Sequence, residues 1–215
     1  LGRLTHDWSI KMSMGLGLGL GLGQQRPATR AFKQENGGPE LLLQTSVTLH
    51  SSTVSEGTII RHLHQPWIEI AEHLKRDPKF LFEFSKHPTR FEEFLAACYD
   101  RAGFDEVILT PRSGDRGRDV IATKRGQFSL RILDQAKAFS EGNLVRHDDI
   151  RAMLHVIQHD RAASKGYVTT TSDFAPEILA TDGEFAGYMP TRLELRNGKA
   201  IAEWIEALAS SAKDQ

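Results

Sequence analysis

The chain has 215 residues, of which 40% are hydrophobic and 26% charged, so it can bury the core of one ordinary domain with extensions. Its 27 lysines and arginines nearly balance its 28 aspartates and glutamates, and the formal charge of −1 excludes a wholly basic nucleic-acid binder but allows a local basic patch. The single cysteine, Cys98, excludes an intramolecular disulfide and a cysteine-based zinc site. The single cysteine favours a reducing, cytoplasmic location. No membrane span is expected, because no stretch approaches the roughly 20 apolar residues that cross a bilayer.

The amino-terminal segment, residues 1–50, is predicted to be a poorly ordered tail. Glycine and leucine alternate from Gly15 to Gly23, and glycine costs backbone entropy in a helix or a strand. A secretory signal peptide is the alternative, but the polar and basic residues that follow this run offer no small-residue cleavage site. Residues 51–87 are predicted to be a short, partly helical lead-in, in which Pro66 and Pro78 mark helix starts.

The remaining residues, 88–215, are predicted to form one domain in which helices and strands alternate. A helix that begins at Pro88 and ends at Gly103 precedes three consecutive strands, which read EVILTP, RDVIAT and SLRILDQAKAF. The apolar periodicity then predicts a helix, a strand, a short helix, a strand and a closing helix. This order indicates an α/β fold, with a sheet between helices and its first three strands as a meander. Cys98 lies on the apolar stripe of the first helix and is predicted to be a core residue.

Polar residues lie inside two of these strands, and the sequence has no GxSxG elbow, HExxH helix or Walker-type phosphate loop. Asp119 begins the second strand, while Gln135 and Lys137 lie two residues apart on the third and therefore project from one face. A hairpin would bring Asp119 near them, whereas Asp134 would point to the opposite face. A carboxylate and carbonyl oxygens can hold Mg²⁺, and an ammonium group can stabilise charge that develops on a phosphate. From spacing alone, an Asp–Lys ion pair on an exposed sheet face is an equally open alternative.

The order of motifs along residues 88–208 resembles the Mrr-like branch of the PD-(D/E)xK restriction endonucleases. The matching motifs are Phe91-Glu92, Gly103-Phe104, Gly114-Asp115-Arg116-Gly117-Arg118-Asp119-Val120, Gln135-Ala136-Lys137, Val168-Thr169-Thr170-Thr171-Ser172 and Leu195-Arg196-Asn197-Gly198-Lys199-Ala200-Ile201. The resemblance implies a restriction-endonuclease-like mixed sheet flanked by helices, with an αβββαβ core, a further strand and a carboxy-terminal helix. It also implies a catalytic domain, residues 88–215, that hydrolyses DNA phosphodiester bonds with Mg²⁺, or with Mn²⁺ in its place.

The resemblance assigns roles to four residues by position. Asp119 becomes the metal-binding aspartate and Lys137 the catalytic lysine. Gln135 stands where other branches have glutamate, so it offers the metal a neutral oxygen, as is characteristic of this branch. Glu92 becomes a helix carboxylate that approaches the metal directly or through water; the alternative is a solvated first-turn residue that complements the helix dipole.

Three arginines close to Asp119 in the sequence predict contact with DNA. Arg112, Arg116 and Arg118 suit phosphate contacts beside a metal site, although a charged loop that keeps the protein soluble is the alternative. Full-length members of this branch join a winged-helix DNA reader to the nuclease. Here only residues 51–87 stand before the catalytic domain, which predicts that a base-reading module is missing or much reduced.

Three functions follow from these patterns. The first is a Mg²⁺-dependent endodeoxyribonuclease of the restriction or genome-defence type. The second is a structure-specific repair or junction nuclease, and the third is a non-catalytic DNA-binding module on the same fold. DNA is the expected partner and a membrane is not. Because one domain carries one active site, a double-strand break needs two copies of the chain or two visits by one copy, and a homodimer would supply the two copies.

Overall fold

The computed structural model describes residues 47–64, 66–111 and 117–210. The predicted tail therefore lies outside the described residues as far as residue 46. The strands are β1 Val47–Val54, β2 Gly57–His64, β3 Glu106–Leu109, β4 Val120–Lys124, β5 Leu130–Lys137, β6 Leu144–Val145, β7 Lys165–Thr170, β8 Asp173–Phe174 and β9 Leu193–Arg196. The α-helices are α1 Trp67–Arg76, α2 Pro88–Arg101, α3 His147–His159 and α4 Gly198–Ser210, with 3₁₀ helices over Pro78–Lys86 and Pro176–Leu179.

Seven strands form one mixed sheet in the order β1-β2-β3-β4-β5-β7-β9. Each neighbouring pair of strands from β1 to β5 is antiparallel, whereas the β5–β7 and β7–β9 pairs are parallel. The predicted meander is thus β3-β4-β5, and the predicted α/β fold with helices on both faces of a mixed sheet is confirmed. Strands β6 and β8 pair separately, as a small parallel ladder.

The sheet separates two hydrophobic layers. Helices α1, α2 and α4 cover one face together with the 3₁₀ helix over Pro78–Lys86, and α3 covers the other. Alternation along the strands distributes their side chains accordingly: Val120 and Ile132 pack in the first layer, Ile121 and Leu133 in the second. Residues 120–122 of β4 and 132–134 of β5 are therefore buried on both faces, so a polar side chain there meets a packed layer.

The residues before the predicted catalytic domain belong to the same packed unit. Strand β2 extends the meander, with Thr58 opposite Leu109 and Ile59 opposite Ile108. Ile70 of α1 is fully buried in the core that α2 also lines. The segment predicted as a lead-in therefore supplies β2, most of the edge strand β1 and a covering helix, and β1 begins at Val47, within the predicted tail.

Helix α2 ends as its sequence predicts. Gly103 follows the helix with φ +79°, the left-handed conformation that glycine adopts without the steric cost of a side chain. Cys98 is fully buried in the core beneath this helix, which confirms its predicted place. Within the described ranges, no helix has the length and apolar character needed to cross a membrane.

We predict that α1 is required for the stability of the whole domain. Ile70→Ala should lower the free energy of unfolding by roughly 2–5 kcal/mol, because it removes a fully buried side chain and leaves a cavity. Ile68→Ala, on the same helix at a position that is 40% exposed, is the matched control and should cost less than about 1 kcal/mol. Urea unfolding followed by circular dichroism measures both, and equal losses would contradict the integration of α1 into the core.

Candidate functional site

Asp119 lies immediately before β4, and strand pairing fixes its position. Its backbone N–H donates to the carbonyl oxygen of Asp134 at 2.9 Å, and its own carbonyl accepts from the N–H of Thr110 at 3.0 Å. Its carboxylate Oδ2 accepts a hydrogen bond from the backbone N–H of Ala136 at 2.7 Å. The N–H of Ala136 thus donates to a side-chain carboxylate at the end of the β4–β5 pairing, where a backbone carbonyl would ordinarily accept. The carboxylate is held against the peptide that joins Gln135 to Ala136.

Gln135 and Lys137 share the face of β5 that α3 covers, together with Leu133. The Oε1 atom of Gln135 is buried and has no hydrogen-bond partner among the described residues. The Nζ atom of Lys137 lies 2.7 Å from Oδ1 of Asp149, in the first turn of α3, and these side chains are only 21% and 25% exposed. The polar residues of this face are therefore in a largely buried setting, and Lys137 forms its ion pair with a helix residue.

Asp134 points to the opposite face, as strand alternation predicts. It is fully buried, and its Oδ2 accepts hydrogen bonds from the hydroxyl groups of Tyr99 at 2.7 Å and Thr169 at 2.9 Å. Burial raises the pKa of Asp134, while the Arg196 guanidinium, whose Nη1 lies 3.7 Å from Oδ2, and the two hydroxyl donors oppose that shift. Asp134 therefore belongs to a buried network under α2, on the far side of the sheet from Gln135 and Lys137.

Arg196 completes this network from β9. Its guanidinium lies over the rings of Trp204 at 4.1 Å, Tyr167 at 4.6 Å and Tyr99 at 5.8 Å from the ring centroids. Arginine suits such a place because its planar cation is weakly hydrated and stacks on aromatic faces. The buried carboxylate of Asp134 thus has a cation beside it that is itself enclosed by aromatic rings.

Glu92 lies just after the first turn of α2, which holds no acidic residue, and is partly buried. Helix α2 covers the face of the sheet that carries Asp134, whereas α3 covers the face that carries Gln135. In the described part of the chain, no three His, Cys, Asp or Glu side chains converge as a metal-binding group. The metal role of Glu92 therefore stays a prediction.

Of the three arginines predicted to bind DNA, Arg112 and Arg116 lie outside the described residues. The side chain of Arg118 is 12% exposed, and its guanidinium lies 3.3 Å from Oε1 of Glu56 and 3.6 Å from Oδ2 of Asp160. Arg131 contacts the same two carboxylates, at 2.5 Å and 3.6 Å. This four-charge cluster ties the β1–β2 turn to the end of α3, and DNA contact by Arg118 stays a prediction.

An open cleft of about 850 Å³ lies beside the Lys137–Asp149 pair. Asp149 itself lines it, together with Phe139, Asn143, Arg146, His147 and Glu177. Solvent and a ligand can therefore approach the first turn of α3, on the side of the sheet that carries Gln135 and Lys137.

Two groups of polar contacts were not foreseen from the sequence. Asp149 is recognisable in the sequence only as a residue that can cap α3, and its contact with Lys137 follows from the packing of that helix on the sheet. Likewise, no local pattern links Tyr99, Thr169 and Arg196 to Asp134.

Burial raises the pKa of the Cys98 thiol, which excludes that residue as a ready nucleophile.

We predict that the Tyr99–Asp134 hydrogen bond stabilises the fold. Tyr99→Phe should lower the free energy of unfolding by roughly 1.5–3 kcal/mol, because it removes one donor from a buried carboxylate. Tyr188→Phe makes the same chemical change at a position that is 38% exposed and should shift stability by less than about 0.5 kcal/mol. Thermal and urea unfolding of the two variants provide the comparison, and similar values for both would argue against the network.

The family model of the Mrr catalytic domain, described as a restriction endonuclease, matches residues 85–205. The DNA modification-dependent restriction endonuclease AspBHI aligns with a TM-score of 0.44 and 17% identity, over 69% of this chain and 41% of that one. The MspJI restriction endonuclease in complex with a 27-mer oligonucleotide aligns with a TM-score of 0.36 and 17% identity, over 69% of this chain and 35% of that one. This chain thus spans less than half the length of either structure, and the comparison with curated proteins gave no match. Because the family model covers more than half of the residues, the chain belongs to the Mrr-type restriction endonuclease family.

Proposed function

We propose that this protein is a Mg²⁺-dependent endodeoxyribonuclease of the restriction type, with Asp119, Gln135 and Lys137 as its catalytic residues. The observation that carries the proposal is the shared face of β4 and β5. A carboxylate is hydrogen-bonded to the β5 backbone, and that strand carries a lysine and a buried amide oxygen that has no hydrogen-bond partner in the described part of the chain. Membership of a restriction endonuclease family supports the assignment of this site to DNA hydrolysis.

Asp119 and Gln135 carry oxygens that fit a divalent cation. Glu92, whose helix covers the other face of the sheet, is a further ligand that we propose from the family resemblance, directly or through water. Oε1 of Gln135 is a buried acceptor without a hydrogen-bond partner among the described residues, so it is available to a cation or to its bound water. Carboxylate and amide oxygens are ligands that Mg²⁺ prefers, and Mn²⁺ accepts the same oxygens. When bound, the cation would polarise the phosphodiester and activate a water molecule for attack.

Lys137 supplies a positive charge on the same face. Its side chain is only 21% exposed, so its charge is screened by solvent less than that of a surface lysine. An ammonium group held in this way stabilises the negative charge that develops on the phosphate during hydrolysis. Lys137 is therefore proposed to act on the phosphate, while Asp119 and Gln135 hold the metal.

The proposed partner is DNA, bound by a protein in the cytoplasm. One active site per domain cuts one strand at a time, so we propose that two copies of the chain act together on a duplex. The cytoplasmic location is supported by the single, fully buried cysteine, which leaves no disulfide to be formed.

We predict that nicking of supercoiled plasmid DNA in the presence of Mg²⁺ depends on the three proposed catalytic residues. Asp119→Ala and Lys137→Ala should abolish nicking, and Gln135→Ala should slow it by roughly 100-fold or more, because each removes a metal ligand or the phosphate-stabilising charge. Gln135→Glu should retain activity, and Glu92→Gln should raise the Mg²⁺ concentration needed for half-maximal cleavage.

Asp134→Asn is the matched control, because it changes the neighbour of Gln135 on the opposite face of β5. It should leave nicking largely unchanged in protein that unfolds cooperatively. Cleavage that persists in both Asp119→Ala and Lys137→Ala, or loss in Asp134→Asn without loss in Gln135→Ala, would overturn the site. Cleavage of branched DNA without cleavage of linear duplex would indicate a junction-resolving nuclease and contradict the restriction function. DNA binding without cleavage would indicate a non-catalytic DNA-binding module.

We further propose that Arg112, Arg116 and Arg118 bind DNA phosphates. Replacing all three by glutamine should weaken binding to every sequence, and each lost phosphate contact should flatten the slope of log affinity against log salt by about 1. Among the three single glutamine variants, Arg118→Gln should weaken DNA binding least, because Arg118 would have to break its ion pairs with Glu56 and Asp160 before it could contact DNA. Fluorescence anisotropy over a salt series measures the slopes, and an unchanged slope in the triple variant would reduce the loop to a solubilising role.

A further inference from the structure

We propose that Asp149 is the positioning residue of Lys137 and holds its ammonium group in place for the reaction. This inference rests on the proposed nuclease function. Oδ1 of Asp149 lies 2.7 Å from Nζ of Lys137, and the two side chains are largely buried. The pair joins the end of β5 to the beginning of α3, on the face that also carries Gln135.

Asp149 is itself firmly held. Its second oxygen, Oδ2, accepts a hydrogen bond from the backbone N–H of Arg146 at 3.1 Å, and its backbone N–H donates to the carbonyl of Arg146 at 3.1 Å. A carboxylate in the first turn of a helix is also stabilised by the helix dipole. One oxygen therefore anchors the residue to the start of α3, while the other is directed to the lysine.

A lysine that acts on a phosphate needs its flexible side chain to be held in one position. A lysine side chain has four rotatable bonds, and fixing its charge at one point costs rotamer entropy. The cleft lined by Asp149 is open to solvent, so an unheld ammonium group could turn into it. A carboxylate fixed on a rigid helix orients the charge before the phosphate arrives, and such preorganisation raises the rate of the chemical step.

Asp149→Asn separates positioning from structure, because an asparagine side-chain oxygen can still accept the Arg146 N–H but carries no charge. Asp148→Asn is the matched control on the same turn, where Asp148 is 94% exposed and pairs with Arg151 at 2.9 Å. Two quantities are measured: the single-turnover cleavage rate at saturating DNA with Mg²⁺, and the Kd for the same DNA with Ca²⁺ in place of Mg²⁺. We expect Asp149→Asn to lower the rate by roughly tenfold or more with Kd unchanged within about twofold, and Asp148→Asn to change neither.

The ion pair is also tested without reference to cleavage. In ¹⁵N-labelled protein, the ammonium group of Lys137 should give a side-chain resonance that Lys137→Arg removes. Its chemical shift should change in Asp149→Asn and stay unchanged in Asp148→Asn.

The outcomes are distinct. If the wild type cleaves DNA and Asp149→Asn cleaves as fast as Asp148→Asn, the inference is wrong and the nuclease function stands. If the wild type cleaves no DNA, the proposed function fails and the inference fails with it. Asp149→Ser, which keeps a capping oxygen, is the second variant if Asp149→Asn does not fold. Failure of both to fold would make Asp149 a stability residue and overturn the positioning role.

Discussion

The pairing of β5 on both of its edges is the constraint on which the candidate site depends. On one edge β5 meets antiparallel β4, with Asp134 opposite Val120, and on the other it meets parallel β7, with Gln135 opposite Val168. A slip of one residue would exchange the two faces of the strand, and hydrogen bonds on both edges oppose it. The carboxylate of Asp119 adds to this ladder through Ala136. The same pairing that closes the sheet therefore sets the carboxylate beside Gln135.

The two faces of β5 treat their polar groups differently. On one face the Oδ2 atom of Asp134 receives two hydroxyl donors and lies near a guanidinium, while its Oδ1 atom is buried without a hydrogen-bond partner among the described residues. On the other face the amide oxygen of Gln135 is buried without a hydrogen-bond partner among the described residues, and Lys137 pairs with Asp149. The first face therefore holds its carboxylate beside a guanidinium inside the core, whereas the second carries the buried amide oxygen and the lysine of the proposed site.

Both ends of α3 are joined to the sheet by charged groups. Lys137 and Asp149 meet at its beginning, and Arg118 and Arg131 meet Asp160 just after its end, together with Glu56 from the β1–β2 turn. Largely buried ion pairs of this kind are costly to break from one side, because the remaining partner keeps its charge without compensation. The helix that covers the proposed site is therefore fixed at two points, and the edge hairpin is fixed with it.

The sequence by itself determined the order of the main helices and strands from Pro88 onward, the alternation that puts Gln135 and Lys137 on one face of β5 and Asp134 on the other, and the family; the short strands β6 and β8 were not predicted. These features follow from periodicities of 3.6 and 2 residues and from short motifs, which backbone geometry imposes locally. Only the tertiary structure decided that the β1–β2 hairpin extends the sheet, that Asp149 pairs with Lys137, and that Arg196 of β9 reaches Asp134. Such contacts join residues from different elements. They depend on how whole helices and strands pack over the two faces of the sheet, and no local pattern specifies that packing.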